Sequence, residues 1–329
     1  MRRRAFIEGV AAFGVAWPLA ARAQQFARPR RVGILMTYEK ESKVFQTWLA
    51  TFKDAMERLG WTEGKNISFE HRWTGSDAAL TELAAKELVA LQPDLILSPS
   101  SPATAFLLKQ TRTIPVVFVN IVDPVGQGFI ASMSHPGGNA TGLVNLETSM
   151  AGKWVELLKQ VKPQITRVAV PFNPASAPYA DFYLKFFKSA ASNFNVEVIS
   201  GAVDDMAALD MFLAAQARDT TGIVPMPSSF STAHASEIAA MTVRYHLAAV
   251  YTVRPFAVAG GLLSYGNDVG DNFRRAATLV DRILKGEKPS ELPVQFPTKF
   301  NLVINLKTAK SFGLSVPLPL QASADEVIE

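Results

Sequence analysis

Small polar residues at the ends of short apolar runs are the positions of this sequence whose types and spacing could support chemistry. Residues 98–104 read Ser-Pro-Ser-Ser-Pro-Ala-Thr and follow an apolar run of strand length. Hydroxyls and a proline at the start of a helix are typical of N-capping. They also suit an anionic ligand, because backbone N–H groups point outward at a helix N-terminus. For each serine taken alone, cap and ligand contact remain alternatives.

Comparable polar loops follow later apolar runs. Residues 120–124 read Asn-Ile-Val-Asp-Pro, where Asp123 could cap a turn or contact a ligand. Residues 172–179 and 227–230 occupy the equivalent places in the second half of the chain. Asp268 follows the last of these runs, where a carboxylate could hold a ligand cation or hydrogen-bond the hinge backbone. Ligands bind beyond the carboxyl ends of parallel strands, so these loops are the predicted site.

Several kinds of catalytic and metal site lack their residues or motifs. The chain has no cysteine, which excludes disulfides, thiolate nucleophiles and Cys-ligated zinc. No two of its four histidines are three to five residues apart, so no helical His pair is available for a metal. The dinucleotide, Walker A and nucleophile-elbow glycine motifs are absent. We therefore expect no cofactor, no metal and no catalysis; an exported hydrolase stays the less favoured alternative.

The predicted elements that position these loops alternate between strand and helix. Residues 32–36 form a continuous apolar run, and residues 45–59 carry apolar side chains three and four apart. An apolar run followed by a segment with helical spacing recurs up to residue 120 and again after residue 168. Such alternation predicts parallel sheets with helices on both faces, and two such units predict two α/β lobes.

Turn-rich segments divide the predicted lobes. The weak point between them is expected at residues 136–142, with further crossings at 266–271 and 292–298. We predict a signal peptide over 1–23, a first lobe from 30–143 plus 270–296, and a second lobe from 144–269 plus 297–329.

The first residues have the pattern of an export signal. Three arginines precede a short apolar stretch, and Ala21-Arg22-Ala23 fits a cleavage site after Ala23. Arg3-Arg4 with the following Ala-Phe-Ile also matches a twin-arginine core; a Sec signal is the alternative. Residues 1–23 carry four arginines and one glutamate, so the mature chain keeps about +1 of the total +4. That leaves no strong basic field for nucleic acid.

The sequence resembles the ABC transporter substrate-binding proteins of the tryptophan-binding (TrpX-like) group. The resemblance covers essentially the whole chain and rests on a combination of segments: residues 31–36, 59–66, 112–118, 123–125, 167–174, 260–266, 297–300 and 304–310. It implies a type I periplasmic binding fold, with two doubly wound parallel-sheet lobes, three interlobe crossings and hinge closure over one ligand. Aromatic amino acids are ligands of the best-known members of this group.

The resemblance also implies which residues line the cleft. The candidate ligand-binding residues are Met36, Ser98, Ser100, Ser101, Thr104, Asn120, Asp123, Asn173, Ala177, Tyr179, Ser229, Tyr265 and Asp268. The chain departs from the group at Val122 and Ser228, where members often carry Ser and Asp.

The implied partners are a small organic ligand, such as an aromatic amino acid or related carboxylate, and an ABC permease in the inner membrane. We expect a periplasmic monomer that does not bind nucleic acid. Presentation of the ligand to a membrane sensor is the alternative role.

Overall fold

Two β-sheets flanked by helices form the core of the protein. The structure is a computed structural model that describes residues 28–75, 77–145 and 150–329. The predicted export signal and its cleavage site lie outside these residues. Within them, no helix is long and apolar enough to cross a membrane.

The first lobe is built on a five-stranded sheet. Its strands and helices, in chain order, are β1 (Arg30–Met36), α1 (Lys43–Arg58), β2 (Ile67–Trp73), α2 (Ala78–Ala90), β3 (Leu95–Ser98), α3 (Ser101–Gln110), β4 (Val116–Ile121) and β5 (Ala140–Val144). All neighbouring strands run parallel, in the order β2-β1-β3-β4-β5.

The second lobe is built on a seven-stranded sheet. It contains α4 (Met150–Val161), β6 (Arg167–Phe172), α5 (Ala180–Ser192), β7 (Glu197–Ala202), α6 (Met206–Ala215), β8 (Thr221–Ile223), α7 (Ser229–Ala233), α8 (Ala235–Arg244), β9 (Ala248–Tyr251), α9 (Arg254–Val258) and β10 (Leu263–Asn267). After α10 (Val269–Leu284) and a 3-10 turn (Pro289–Glu291) come β11 (Phe300–Asn305), α11 (Leu306–Ser311), α12 (Leu318–Ala322) and β12 (Glu326–Ile328).

The apolar patterns explain the main elements of the first lobe. The last five residues of β1 are buried, as expected for a strand covered on both faces. On α1, Phe45, Leu49, Phe52 and Met56 are buried at helical spacing, so one face of the helix packs on the core. Helix α2 begins after Asp77, whose side chain accepts a hydrogen bond from the N–H of Leu80.

The two sheets repeat one topology. The strand order β7-β6-β8-β9-β10 in the second sheet matches β2-β1-β3-β4-β5 in the first, and β11 and β12 extend its edge. The parallel doubly wound fold predicted from the sequence is confirmed, with one difference. Strand β11 pairs antiparallel with β10, because the chain re-enters this sheet after a crossing rather than after a helix on its face.

Helix α10 returns the chain to the first lobe. It follows β10 of the second sheet, but packs against α1 and β4. The buried Trp61 Nε1 donates to Asp281 Oδ1 at 2.9 Å and ties the turn before β2 to this helix. The chain then adds to the edge of β5, where the N–H of Gln295 donates to the carbonyl of Gly142 at 3.0 Å. The predicted lobe boundaries stay a prediction.

The prediction that the chain crosses between the lobes at residues 136–142 is wrong. Residues 140–142 enter β5, which pairs with β4 inside the first sheet. The chain passes to the second sheet only after β5. Gly142 instead allows β5 to lie close to the neighbouring strand β4. A Cβ on Gly142 would lie 2.0 Å from the carbonyl oxygen of Phe118.

We expect Gly142→Ala to lower the free energy of unfolding by about 1–3 kcal/mol or more, because the new methyl group must displace backbone. Gly138→Ala, in the same segment, is the control, since a Cβ there meets no atom within 4 Å. Urea denaturation of both variants measures the difference. Equal stability of the two would contradict the close approach of β4 and β5.

Candidate ligand-binding cavity

A cavity lies between the two lobes at the carboxyl ends of their parallel strands. Its free volume is about 40 Å³, so the lobes lie close together around it. Its walls come from loops that follow strands of both sheets: Tyr38, Trp48, Pro99, Ser100, Ser101, Asn120 and Asn145 of the first lobe, Ser176, Tyr179, Pro227, Ser228, Ser229, Thr232, Thr252 and Val253 of the second, and Val269 at the crossing.

The two lobes present the same Pro-Ser-Ser turn to the cavity. Pro99 follows β3 and precedes α3; Pro227 occupies the equivalent place before α7. The hydroxyl of Tyr38 donates to the carbonyl of Pro99 at 3.0 Å. The hydroxyl of Tyr179 donates to the carbonyl of Pro227 in the same way. Each turn is therefore held by a tyrosine from its own lobe.

Burial fixes the chemistry of these two tyrosines. Burial raises the pKa of Tyr38 well above its usual value. Burial, and then the charge interaction with Tyr38, raise the pKa of Tyr179 as well. Both phenols stay neutral and act as hydrogen-bond donors to the proline carbonyls, so neither serves as a general base.

The serines at the start of α3 divide their hydrogen bonds between cap and cavity. The Ser100 side chain caps the helix by accepting from the N–H of Ala103 at 3.3 Å. Ser101 Oγ accepts from Gln127 Nε2 at 3.2 Å. In both bonds the serine oxygen is the acceptor, so its hydroxyl hydrogen stays able to donate into the cavity.

Asparagines form another wall. Asn120 has a left-handed backbone (φ 60°), and its Oδ1 accepts from Asn272 Nδ2 of α10 at 2.8 Å. Asn272 also donates to the carbonyl of Val144 at 3.2 Å and so ties the ends of β4 and β5 together. Asn145 follows β5, and its buried Oδ1 has no partner among the described residues. This oxygen is free to accept from a ligand.

The described wall residues are neutral. They include hydroxyl, amide and aromatic side chains, and none of them is Asp, Glu, Lys, Arg or His. The described ranges also contain no group of three or more His, Asp or Glu side chains able to hold a metal. The cavity so described suits a ligand held by hydrogen bonds and aromatic contact.

Five predicted site residues line the cavity: Ser100, Ser101, Asn120, Tyr179 and Ser229. The other predicted residues do not line the cavity. Four of them are buried inside the lobes. Met36 and Ala177 are fully buried core side chains. Ser98 Oγ and Thr104 Oγ1 bond each other at 2.8 Å, and Thr104 also donates to the carbonyl of Ser100. These four residues support the turns behind the cavity instead of lining it.

The remaining polar predictions belong to turns and strands. Asp123 caps its own turn, accepting from the N–H of Gly126 at 2.9 Å. Asn173 Nδ2 donates to the carbonyls of Val203 and Asp204, and Oδ1 accepts from the N–H of Ser176. The carbonyl of Tyr265 accepts from Trp154 Nε1 at 2.7 Å, while its ring stacks on Phe300. Each of these residues orders a loop behind the cavity.

Asp268 lies at the crossing between lobes and outside the cavity. Its side chain caps α10 by accepting from the N–H of Asp271 at 3.1 Å, and it pairs with Lys299 Nζ at 2.9 Å. The N–H of Asp268 also donates to the carbonyl of Lys299. Burial raises the pKa of Asp268, but these two hydrogen bonds outweigh it and hold the pKa below its usual value. The geometry favours the hinge alternative over a ligand cation.

Sequence reasoning missed several wall residues. Trp48 lies on α1, where the helical pattern assigned it to the core, and Tyr38 lies between β1 and α1. Asn145, Thr252 and Val253 follow strands, and Asn145 follows β5, which was not predicted. The signal for Tyr38, Thr252 and Val253 was present, because each stands within two residues of the carboxyl end of a strand.

A cavity between two α/β lobes, lined by turns from the carboxyl ends of both sheets, defines a two-lobed ligand-binding protein. Residues 32–328 match the family described as ABC transporter substrate binding protein, and the chain belongs to that family. The family is one of binding proteins.

Three proteins similar to this chain share less than a quarter of their residues with it over the matched regions. A tyrosine-binding protein of Clostridioides difficile is 22% identical over 84% of this chain and 78% of its own length. An ABC domain from Streptococcus pneumonia, solved in complex with L-Trp, superposes with a TM-score of 0.85 at 21% identity, covering 91% of this chain and 100% of that one. A conserved domain protein of Vibrio cholerae gives the same TM-score and coverage at 23% identity. These structures establish the type I periplasmic binding fold.

Asp268→Asn should change ligand affinity by less than about threefold, and equally for an amino acid and its deaminated analogue, because an exposed ion pair outside the cavity contributes little. Asparagine still caps a helix, so only the Lys299 pair is lost. Since the Asp268 pKa is lowered on folding, the stability it adds is present above its unfolded pKa and lost as pH falls through the folded value. The melting temperatures of the wild type and of Asp268→Asn, measured from pH 7 to pH 3, should therefore converge at acid pH. A loss of affinity for the amino acid alone would show that Asp268 belongs to the ligand-binding site.

Proposed function

We propose that this protein is the periplasmic solute-binding component of an ABC importer and delivers a small carboxylate, an aromatic amino acid or a related acid, to a permease. The observation that carries the proposal is the cavity between the lobes, with matching Pro-Ser-Ser turns from both of them. A ligand there would contact both lobes at once, so binding would favour the closed arrangement over an open one. A tyrosine-binding relative and an L-Trp complex support the ligand class.

The start of α3 is the proposed carboxylate site. The N–H of Ser101 and the hydroxyls of Ser100 and Ser101 are the donors available there, and the helix dipole adds favourable potential. Pro102 has no N–H, and the N–H groups of Ala103 and Thr104 are bonded to Ser100. The hydroxyls therefore supply most of the donors, and Thr104, fully buried, takes no part.

Aromatic and amide groups are proposed to hold the rest of the ligand. Trp48 and Tyr38 offer ring surface, and Trp48 is fixed between Phe45 at 5.1 Å and Phe273 at 6.1 Å between ring centroids. Asn145 Oδ1 is the free acceptor for an N–H group of the ligand. This combination of one carboxylate site, one free acceptor and aromatic walls is the reason for preferring an aromatic acid.

Mass spectrometry of the small molecules released when the purified protein is denatured tests the ligand class directly. Release of an aromatic carboxylate would support the proposal, and release of a sugar or a polyamine would reject it. Neighbouring genes for a permease and an ATPase would separate the importer from a sensor-linked role. Chemical conversion of the released molecule by the protein would instead indicate a hydrolase.

We expect Ser101→Ala to weaken carboxylate binding about tenfold, because it removes one hydrogen bond to a charged group. Thr104→Val is the matched control on the same helix: its hydroxyl is buried away from the cavity, so the variant should lose stability but keep its affinity. Calorimetric titration with L-tryptophan and indole-3-propionate measures both. Unchanged affinity in Ser101→Ala would remove α3 as the carboxylate site.

Export is proposed to follow the twin-arginine route. Replacing Arg3 and Arg4 by lysine should abolish periplasmic accumulation, because that pathway reads the arginine pair itself. Cell fractionation with immunoblotting gives the result. Unchanged periplasmic yield would reject the twin-arginine route in favour of a Sec signal. Arg2→Lys alone is the control, since it makes the same exchange outside the arginine pair.

A further inference from the structure

A second pocket adjoins the cavity beside the interlobe crossing. It has a free volume of about 300 Å³ and is named here the outer pocket. Its walls are α1 of the first lobe, the turn before α9, the crossing between β10 and α10, and Asn301 of β11. Trp48, Val253 and Val269 line both the outer pocket and the cavity, so these three side chains form the wall between them.

Asn267 is an unusual wall residue of the outer pocket. It is only 4% exposed, yet neither its Oδ1 nor its Nδ2 has a hydrogen-bond partner among the described residues. A buried amide with both groups unpaired lowers the stability of a protein. Each such group needs an explanation, and a bound molecule that completes the hydrogen bonds is one. A molecule that completes both must offer one acceptor and one donor close together.

The charged groups around the outer pocket already have partners. Arg254 bonds Glu326 through Nε at 2.6 Å and through Nη2 at 2.9 Å. Asp268 pairs with Lys299. The unmet hydrogen-bonding capacity at this pocket is therefore that of the neutral amide of Asn267. A secondary amide, with one N–H and one C=O, is its natural complement.

We propose that the outer pocket is a second subsite of the same cleft, and that the natural ligand is an aromatic amino acid whose nitrogen carries an acyl group. This inference rests on the proposed function: the carboxylate and ring occupy the cavity, and the amide passes the Trp48 wall to Asn267. Acylation also removes the ammonium group, in agreement with the neutral described walls of the cavity, while the charged wall residues of the outer pocket, Arg254 and Asp268, are paired with Glu326 and Lys299. The outer pocket, at about 300 Å³, reaches the lower end of the volumes of small-molecule sites, so a ligand that extends into it has room that the cavity of about 40 Å³ does not give.

Calorimetric titration of the mature chain, freed of bound ligand, with L-tryptophan and N-acetyl-L-tryptophan tests the proposal. We expect N-acetyl-L-tryptophan to bind with one molecule per chain and at least about tenfold more tightly, since the amide of Asn267 gains two partners. Glycyl-L-tryptophan presents the same amide with an ammonium beyond it. Tighter binding of this peptide identifies a peptide ligand, and weaker binding an N-acyl acid; both support the subsite.

Asn267→Leu should lower the affinity for N-acetyl-L-tryptophan about tenfold and leave that for L-tryptophan unchanged. Ser264→Ala is the matched control, because Ser264 Oγ is also buried and unpartnered on β10 but lines neither pocket. Both substitutions should raise the melting temperature of the ligand-free chain, and only the first should change affinity. If Asn267→Leu does not fold, the proposal is tested by the affinities of Asn267→Ser and by the preference of the wild type for N-acetyl-L-tryptophan over L-tryptophan.

Equal or tighter binding of L-tryptophan, or two L-tryptophan molecules per chain, would overturn the amide subsite while leaving the proposed function in place. Failure of all three probes, with release of a non-aromatic molecule on denaturation, would overturn the proposed function itself. Loss of affinity for every probe in Asn267→Leu would show a structural role and would also reject the subsite.

Discussion

The carbonyl groups of Pro99 and Pro227 carry the arrangement on which the cavity depends. Each lies in a turn that follows a strand, accepts a hydrogen bond from a buried tyrosine, and precedes two serines that line the cavity. A carbonyl in such a turn has no strand partner of its own, so the tyrosine supplies the bond that a buried backbone group requires. Because burial keeps both phenols neutral, this support does not change over the physiological pH range.

The crossings then decide how two such turns come to face each other. Helix α10 leaves the second sheet, packs on α1, and returns through residues 294–295 along the edge of β5. Asp268 and Lys299, on two different crossings, bond each other through backbone and side chain. Arg275 adds a third tie by donating to the carbonyl of Phe296 and to Gln295 Oε1. Polar contacts of this kind join the crossings without filling the cavity, which leaves the described walls of the cavity to neutral side chains.

Much of the fold could be predicted from local patterns, because burial imposes a period on the sequence. Helix α1 and strand β1 were recognised from their spacing of apolar residues. Strands β5 and β11 were missed: β5 starts inside a glycine-rich turn, and the apolar run of β11 is only three residues long, between Asn301 and Asn305. The site was predicted less well. Ser100 and Ser101 line the cavity as expected, whereas Thr104, one turn along the same helix, faces inward and bonds Ser98.

The sequence by itself determined the fold class, the absence of cysteine chemistry and the loops in which the cavity would lie. Strand and helix periods depend on near neighbours in the chain, and a parallel sheet requires its loops to meet at one edge. Only the tertiary structure decided which side chain of each loop faces the cavity, because a polar group can be satisfied by its own turn or by a ligand. Asp123 and Asp268 have partners within the protein, while the side chains of Asn145 and Asn267 hold buried atoms without a partner among the described residues. Such partners can lie far along the chain, as where Asn120 accepts from Asn272, 152 positions away, and their approach is fixed only by the tertiary structure.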